Sequence, residues 1–327
     1  MSHPLRAALS VPMLAVAALL TACTEANTEV KPEPGPKLSV FIGPADLRAL
    51  EASHTVGEDL IIVDARVAND YAVAHIPGAI NLQPTDLRTP KAKPGEGFSQ
   101  YLFRTHDDYI DGDLDVERYT AILGGAGIDP TDTVVVYGNY AGKADGSVPA
   151  MVLDLLGHQG DVFFLEGEGL KRWQAAGLEV ATEPTVLAAT DYQAQPRPEL
   201  IWNLDDVQAH LGQDAVVFYD TRSLPEFTGD NPRSNARGGH IPGAVQIDYQ
   251  DLLDADKASH AADAIAQAHA DAGVTPDKTI VLYCQTSTRV SLAYLALREL
   301  GYENLAVYDA SMHEYLNHPD TQVATGE

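Results

Sequence analysis

Cys284 is the residue of this 327-residue chain whose type and position most favour covalent chemistry. It follows the apolar run Thr279–Tyr283, which predicts a buried strand. The loop Gln285–Thr288 then leads to Arg289 and to apolar residues with a helical period. Ligands of open parallel sheets bind beyond the carboxyl ends of the strands. The spacing therefore predicts a reactive sulfur at a strand end, beside the start of a helix.

The loop after Cys284 predicts an anion-binding cup. Ser287 or Thr288 is a natural N-cap of the following helix, so the loop must turn back over the sulfur with its N–H groups inward. Free N–H groups and the positive end of a helix favour an anion, including the thiolate form of the cysteine near neutral pH. The predicted loop residues are Gln285, Thr286, Ser287, Thr288 and Arg289. A buried structural cysteine is the alternative interpretation.

The segments that would position this cysteine occur twice along the chain. Apolar runs that end in Asp-x-Arg lie at Leu60–Arg66 and Ala215–Arg222, and a His-Ile-Pro-Gly-Ala segment follows each of them. Each half then contains two more apolar runs, separated by a helical pattern. Continuous apolar strands that alternate with helices indicate parallel sheets covered on both faces. The repetition therefore predicts two α/β domains that arose by duplication.

The first half has no counterpart of the cysteine. Its matching strand, Thr133–Tyr137, is followed by Gly138, and the loop Asn139–Gly146 contains no nucleophile. The first domain is therefore predicted to shape the cleft. One active site per chain is expected, in the second domain.

The N-terminus resembles a bacterial lipoprotein signal. Arg6 precedes the apolar run Ala7–Leu20, which is too short for an ordinary membrane-spanning helix and ends just before Cys23. We therefore predict a signal peptide over residues 1–22, lipidation at Cys23 and a Pro-rich tether over 23–37. The protein is expected to be exported and anchored through its lipid to the cell envelope, on the periplasmic face, with the outer membrane favoured. A plain secretory signal is the alternative.

Composition limits the possible binding partners of the protein and the possible pairing of its cysteines. With 21 Lys+Arg against 47 Asp+Glu residues, the net charge of −26 repels phosphate backbones, so no nucleic-acid partner is expected. The chain has two cysteines, and lipidation of Cys23 would leave Cys284 without an intramolecular partner.

Three prolines over 183–198 predict an interdomain linker, which places the first domain at 38–182 and the catalytic domain at 199–327.

Taken together, these motifs resemble the rhodanese family of sulfurtransferases in its tandem two-domain form. The resemblance extends from about Leu38 to the C-terminus and includes both Asp-x-Arg motifs, both His-Ile-Pro-Gly-Ala segments and the loop at Cys284. It implies an α/β fold of two rhodanese-like domains, each a parallel five-stranded sheet flanked by helices. It also implies an enzyme that takes sulfane sulfur from thiosulfate or 3-mercaptopyruvate as a Cys284 persulfide and passes it to a thiol or cyanide. No metal or organic cofactor is implied.

The resemblance implies supporting residues as well. Asp220 and Arg222 form the second Asp-x-Arg motif and would brace the active loop, although a structural ion pair is an equal alternative. Arg233 matches a substrate-binding arginine of mercaptopyruvate-type members, and Arg237 is expected to face the site. His75 is expected to hold a turn. A functional role is its alternative, because such members place a first-domain histidine near the loop.

Departures from the family pattern leave the sulfur donor open. Gln285 and Thr286 replace the adjacent basic residues of vertebrate-type thiosulfate enzymes, and the loop lacks the Gly-Ser-Gly of mercaptopyruvate enzymes. Glu226 stands where an arginine often precedes the phenylalanine that matches Phe227. Thiosulfate is the first choice of donor, because it is an exportable inorganic anion.

Two other functions stay open on the sequence alone. A rhodanese module without turnover would act as a sulfur carrier or docking platform, and it would stop after loading one sulfur on Cys284. A Cys-dependent phosphatase or arsenate reductase also cradles an oxyanion. Its loop typically has one residue more between Cys and Arg than the four that separate Cys284 from Arg289, and the shorter loop favours sulfur.

The acidic run Asp107–Asp115 invites comparison with a calcium-binding loop. In that alignment Tyr109 and Arg118 would stand at ligand positions, and neither side chain suits calcium. We therefore predict an exposed loop and no metal site.

Overall fold

The computed structural model describes residues 39–89, 101–107, 110–139, 145–254, 258–259 and 262–326. The predicted signal peptide, the tether and Cys23 lie outside the described residues. The remainder, Leu38–Glu327, forms one compact unit. None of the helices within the described ranges combines the length and the apolar composition that a membrane-spanning segment needs.

Strands and helices alternate along the described chain. The strands are β1 (Phe41–Ile42), β2 (Leu60–Asp64), β3 (Ile80–Asn81), β4 (Arg104–Asp107), β5 (Ile110–Leu114), β6 (Thr133–Tyr137), β7 (Val162–Leu165), β8 (Ile201–Trp202), β9 (Val216–Asp220), β10 (Val245–Gln246), β11 (Thr279–Tyr283) and β12 (Leu305–Tyr308). The α-helices are α1 (Pro44–Ser53), α2 (Ala68–Val73), α3 (Val116–Gly125), α4 (Val148–Leu155), α5 (Leu170–Ala175), α6 (Leu204–Ala209), α7 (Leu224–Thr228), α8 (Ala262–Asp271), α9 (Val290–Glu299) and α10 (Ser311–Tyr315). Short 3-10 helices lie at Asp145–Ser147, Pro198–Leu200 and Tyr249–Leu252.

Ten of these twelve strands form two parallel five-stranded sheets with the same topology. The first sheet has the order β1-β7-β6-β2-β3, and the second has the order β8-β12-β11-β9-β10. Every pairing within the second sheet is also parallel. The predicted α/β fold of two parallel five-stranded sheets is therefore confirmed.

The central strands are buried on both of their faces. In β2, Ile61 and Val63 belong to one hydrophobic cluster, whereas Leu60 and Ile62 belong to another. Side chains of a strand point alternately to opposite faces, so a continuous apolar run requires cover on each side. The first of these clusters also contains Tyr219 and Leu282 of the second sheet, so one core extends through both repeats.

Helices α4 and α9 join the two repeats. The hydroxyl oxygens of Ser147 and Ser291, at the start of these helices, lie 2.7 Å apart and are buried. The Tyr294 hydroxyl on α9 donates to the Asp154 carboxylate on α4 across 2.5 Å. Because α9 directly follows the loop at Cys284, the first repeat supports the helix on which that loop depends.

Asp309, immediately after β12, provides a second junction between the repeats. Its fully buried carboxylate accepts hydrogen bonds from the backbone N–H groups of Leu102, Phe103 and Arg104, at 2.8, 2.9 and 3.0 Å. A hydrogen bond to a charged group contributes about 1.5–3 kcal/mol. This cluster fixes a first-repeat segment against the strand end that neighbours Cys284.

One sequence-based expectation differs from the structure in this region. The acidic run 107–115 was expected to be an exposed loop, but β4 and β5 pair as an antiparallel hairpin. Asp108 and Tyr109, which separate the two strands in the sequence, lie outside the described residues. The predicted interdomain linker, residues 183–198, packs on the first repeat, because the N–H group of Gln195 donates to the Leu156 carbonyl at 2.8 Å and the Tyr192 side chain is buried.

Candidate active site

Cys284 lies at the carboxyl end of β11, where two serines and a short helix hold the backbone. Its N–H group donates to Ser311 Oγ at 3.2 Å, and its carbonyl accepts the Met312 N–H group at 3.1 Å. Cys284 is 1% exposed and is absent from the lining of the neighbouring cleft, whereas Gln285, Thr286 and Thr288 of its loop line that cleft. A donor in the cleft therefore has to pass these loop residues to reach the sulfur.

The loop after Cys284 is pinned at its middle and leaves backbone donors unused. The Ser287 N–H group donates to Ser311 Oγ at 3.3 Å, and Ser287 Oγ lies 2.6 Å from the Asp309 carbonyl. Ser287 has a φ of +50°, which turns the chain sharply. No atom of the described chain accepts the backbone N–H groups of Gln285, Thr286, Thr288 and Arg289. Such groups can bind an anion, as the sequence predicted.

The helix after the loop starts one or two residues later than expected. The N-cap of α9 is Arg289, in a helical conformation and without a side-chain cap, instead of Ser287 or Thr288. The Ser287 hydroxyl binds the Asp309 carbonyl after β12, and the Thr288 hydroxyl accepts a hydrogen bond from Arg88 of the first repeat. Because residues distant in sequence bind both hydroxyl groups, neither of them caps the helix. The unused N–H groups of the loop follow from this competition.

Arg289 is paired with a carboxylate. Its two terminal nitrogens donate to the two Glu226 oxygens at 2.7 and 2.9 Å. Burial raises the pKa of the Glu226 carboxyl, but the hydrogen bonds and charge of Arg289 outweigh burial, and the pKa falls to about 2. Burial lowers the pKa of Arg289, but Glu226 and the nearby Cys284 outweigh it, and that pKa is raised above its usual value.

Asp220 and Arg222 form a buried ion pair outside the cleft. The Arg222 guanidinium binds the Asp220 carboxylate at 2.6 Å and the Gly239 carbonyl at 2.8 Å. Thr221, between them, donates its N–H group to the Tyr283 carbonyl at 3.0 Å. The pair therefore braces the end of β11 and the turn before His240, and the Asp220 charge also acts on Arg289 at the end of the loop.

The two candidate arginines upstream of His240 lie in different surroundings. Arg233 lines the cleft, has a side chain that is 51% exposed, and places Nε 3.9 Å from the Glu226 carboxylate. Arg237 does not line the cleft. Its guanidinium donates to the carbonyls of Leu316 and Tyr315, at 3.2 and 3.0 Å, and to three further oxygens of the C-terminal segment. The structure thus corrects the expectation that Arg237 faces the site, because this carbonyl cluster holds its side chain.

His75 is a structural residue of the first repeat in this arrangement. It is fully buried, and its ring nitrogens bind the carbonyls of Tyr71 and Glu183 at 2.8 and 3.1 Å. The ring stacks on Tyr71 with centroids 3.9 Å apart. His75 therefore holds a turn, and it is absent from the cleft lining.

The cleft has a volume of about 670 Å³ and is lined by both repeats. Its lining residues are Pro84, Thr85, Arg88, Ser223, Glu226, Arg233, Ser234, Asp248, Tyr249, Gln250, Gln285, Thr286, Thr288, Arg289 and His313. The first repeat contributes Pro84, Thr85 and Arg88, and Arg88 Nη2 donates to Thr288 Oγ1 in the loop. Sequence reasoning missed Arg88. A signal existed, because the segment shortly after the His-Ile-Pro-Gly-Ala motif lines the cleft in each repeat.

The first repeat excludes a nucleophile at the position that matches Cys284. A Cβ atom added to Gly138 would lie 2.4 Å from the Cα atom of Gly146, which is shorter than real contacts allow. Any side chain there would force the two segments apart. The absence of a cysteine in this repeat thus follows from close backbone packing.

A model of the rhodanese-like domain matches residues 46–176 and 203–318. The chain belongs to the rhodanese family. Each matched range contains four of the five strands of one parallel sheet, so the tandem form of the rhodanese fold is confirmed.

Curated relatives define the activity at a coarse level. A thiosulfate sulfurtransferase of Azotobacter vinelandii is 33% identical, over 88% of this chain and 97% of the relative. A protein of the same name from Pseudomonas aeruginosa is 32% identical, with the same coverage of both chains. The mitochondrial thiosulfate/3-mercaptopyruvate sulfurtransferase 1 of Arabidopsis thaliana is 26% identical, over 86% of this chain and 75% of the relative. This rhodanese is a sulfurtransferase.

Solved structures agree on the fold. A variant of EanB in complex with ergothioneine superposes with a TM-score of 0.74 at 22% identity, over 90% of this chain and 72% of that chain. Wild-type EanB gives a TM-score of 0.74 at 21% identity, with the same coverage. At this identity the likeness concerns the fold alone.

Proposed function

We propose that this rhodanese transfers sulfane sulfur from a small anionic donor, thiosulfate or 3-mercaptopyruvate, to a thiol or cyanide through a persulfide on Cys284. The observation that carries the proposal is the loop at the end of β11. There Cys284 lies beside Arg289 and next to four backbone N–H groups that no atom of the described chain accepts. The names of the curated relatives support both donors.

The loading step needs only a thiolate and an anion-binding loop. With thiosulfate, the Cys284 thiolate attacks the outer sulfur, the S–S bond breaks with its electron pair on sulfite, and Cys284 becomes a persulfide anion. With 3-mercaptopyruvate, the C–S bond breaks instead, and the thiol proton moves to carbon to give pyruvate. Loop N–H groups stabilise the donor anion and the persulfide charge.

The unloading step restores the enzyme. Cyanide attacks the outer sulfur of the persulfide, the S–S bond breaks, and thiocyanate leaves with the Cys284 thiolate regenerated. A thiol acceptor leaves as a persulfide in the same way. The reaction balances without an added oxidant or reductant.

Mass spectrometry of the soluble chain tests the persulfide. After incubation with each donor, the peptide that contains Cys284 should gain one sulfur atom, and cyanide should remove it. The variant Cys284→Ser should gain none. Sulfur on another residue, or an unmodified Cys284 peptide with both donors, would rule out the mechanism.

Turnover separates the enzyme from a sulfur carrier. Thiocyanate should accumulate well beyond one equivalent per chain when donor and cyanide are in excess. Release that stops at one equivalent would instead identify a carrier or docking module, the alternative that the sequence left open.

We also propose that the protein is exported and anchored through lipid on Cys23, because residues 1–23 carry a signal of the lipoprotein type. Metabolic labelling with a fatty acid should mark the wild-type chain in membranes and leave Cys23→Ala unlabelled. Recovery of an unlabelled wild-type chain with residues 1–22 intact would refute this proposal.

A further inference from the structure

The positive and negative charges of the residues that line the cleft nearly cancel. Among the described lining residues, three arginines, Arg88, Arg233 and Arg289, face two carboxylates, Glu226 and Asp248. Ionisation of Cys284 adds one more negative charge. A donor that enters the cleft therefore meets a site with almost no net positive charge of its own.

Glu226 has the largest influence on this balance. Its two carboxylate oxygens accept hydrogen bonds from both terminal nitrogens of Arg289, at 2.7 and 2.9 Å, and Ser223 Oγ donates to one of them at 2.9 Å. Arg233 Nε lies 3.9 Å from the same carboxylate. Glu226 thus offsets the charge of the arginine nearest Cys284 and faces a second cleft arginine.

The position of Glu226 is fixed by the helix on which it lies. It is the third residue of α7, where its carboxylate and Ser223 form a reciprocal capping box. Glu226 is 2% exposed, so water screens its charge weakly. The carboxylate therefore acts as a permanent negative group at the cleft wall.

The fixed negative charge of Glu226 repels a sulfur donor according to the charge of that donor. Thiosulfate carries two negative charges, whereas 3-mercaptopyruvate and organic thiosulfonates carry one. Because Coulomb energy is proportional to the charge of the ligand, a fixed carboxylate disfavours a dianion about twice as strongly as a monoanion. We propose that Glu226 is a specificity-determining residue that makes the cleft select sulfur donors with a single negative charge over dianions. This inference rests on the proposed sulfur transfer.

Glu226→Gln tests the inference with a pair of donors of matched chemistry. Thiosulfate and methanethiosulfonate both yield their outer sulfur by S–S cleavage, to sulfite and methanesulfinate respectively, and differ in charge. With cyanide as acceptor, the ratio of kcat/KM for thiosulfate to that for methanethiosulfonate should rise roughly tenfold in the variant. Glutamine suits the capping box, so α7 should keep its start.

Two further variants separate charge from geometry. Glu51→Gln removes a carboxylate that pairs with Arg48 on α1, outside the cleft, and should leave the donor ratio unchanged. The double variant Glu226→Gln with Arg289→Gln restores the net charge of the cleft and should return the ratio toward the wild-type value, whatever its absolute rate. A ratio that does not move in Glu226→Gln would overturn the inference while sulfur transfer itself stands.

A comparison of the two donors on the wild-type enzyme tests the inference without relying on the folding of any variant. Its kcat/KM should be higher for methanethiosulfonate than for thiosulfate, and a clear preference for thiosulfate would overturn the inference. If neither donor loads sulfur on Cys284, the proposed function fails and this inference fails with it. These outcomes are distinguishable, because loading is read from the mass of the Cys284 peptide and selectivity from the donor ratio.

Discussion

Cys284 and Arg289 stand at the two ends of one short loop, and each is held by a partner distant in sequence. The N–H group of Cys284 binds Ser311 Oγ, and the guanidinium of Arg289 binds the Glu226 carboxylate. A buried ion pair contributes little net stability when both members are present, but removal of one member leaves an uncompensated charge. The Glu226–Arg289 pair is therefore a point where single substitutions should have measurable effects.

Acid titration of stability should reveal the charge of Glu226. The folded pKa of about 2 lies below the ordinary value of 4.5, so the unfolded chain takes up the proton first as the pH falls. The contribution of the carboxylate is complete above pH 4.5 and is lost between pH 4.5 and 2. Urea unfolding of wild type and Glu226→Gln should therefore differ by about 2 kcal/mol at pH 7, and the difference should shrink below pH 4.5. A difference that is constant from pH 7 to pH 3 would contradict this origin.

At the scale of elements, the active loop depends on the start of α10. Ser311 Oγ accepts N–H groups from Cys284 and Ser287, and the Met312 and His313 N–H groups donate to the carbonyls of Cys284 and Gln285. One short helix thus fixes the start and the middle of the loop. The unused N–H groups of Gln285 and Thr286 lie between these anchors.

Ser311→Ala should loosen the loop while leaving Cys284 in place. Two buried N–H groups lose their acceptor, which costs about 1–3 kcal/mol of stability. We expect kcat/KM for sulfur loading to fall about tenfold, because the loop no longer holds its donors toward the anion. Steady-state kinetics and urea unfolding measure the two effects. Ser53→Ala is a matched control, since that hydroxyl binds carbonyls of its own helix and the adjacent His54 ring, away from the cleft. Unchanged kinetics in Ser311→Ala would show that this anchor is dispensable.

At the scale of the whole molecule, the repeat without a cysteine is part of the active site. It supports α9 through α4, accepts the Asp309 junction at Leu102–Arg104, and places Arg88 against Thr288. Close packing at Gly138 excludes a second nucleophile. Under the proposed function, the duplication therefore produced one catalytic repeat and one that completes its cleft.

Arg88→Gln tests this contribution of the first repeat. Loss of the hydrogen bond to Thr288 Oγ1 should lower kcat/KM about tenfold, since a positioning contact to the loop is removed. Thr288→Val should have a similar effect, and the double variant should lose little more, because residues in direct contact are not additive. Arg172→Gln, which breaks a first-repeat ion pair with Glu166 outside the cleft, is the control. Full additivity of the two single effects would show that Arg88 acts elsewhere.

The sequence by itself determined the two sheets, the strand end that holds Cys284 and the absence of a nucleophile in the first repeat. These features depend on local patterns, namely continuous apolar runs, the strand-loop-helix spacing and the repeated motifs. The strand-loop-helix spacing also predicted unused N–H groups in the loop. The predicted N-cap of α9, Ser287 or Thr288, was wrong, because both side chains bind partners outside the helix.

Only the tertiary structure decided which charged side chains meet at the cleft. Glu226 and Arg289 are 63 residues apart in sequence, and Arg88 and Thr288 are 200 apart. A long arginine side chain carries its charge several bonds from its backbone, and its direction depends on the acceptors that the packed chain offers. Arg237 illustrates this, because carbonyls of the C-terminal segment bind it away from the cleft. Local patterns place the sulfur, whereas packing between distant segments sets the charge that a donor meets there.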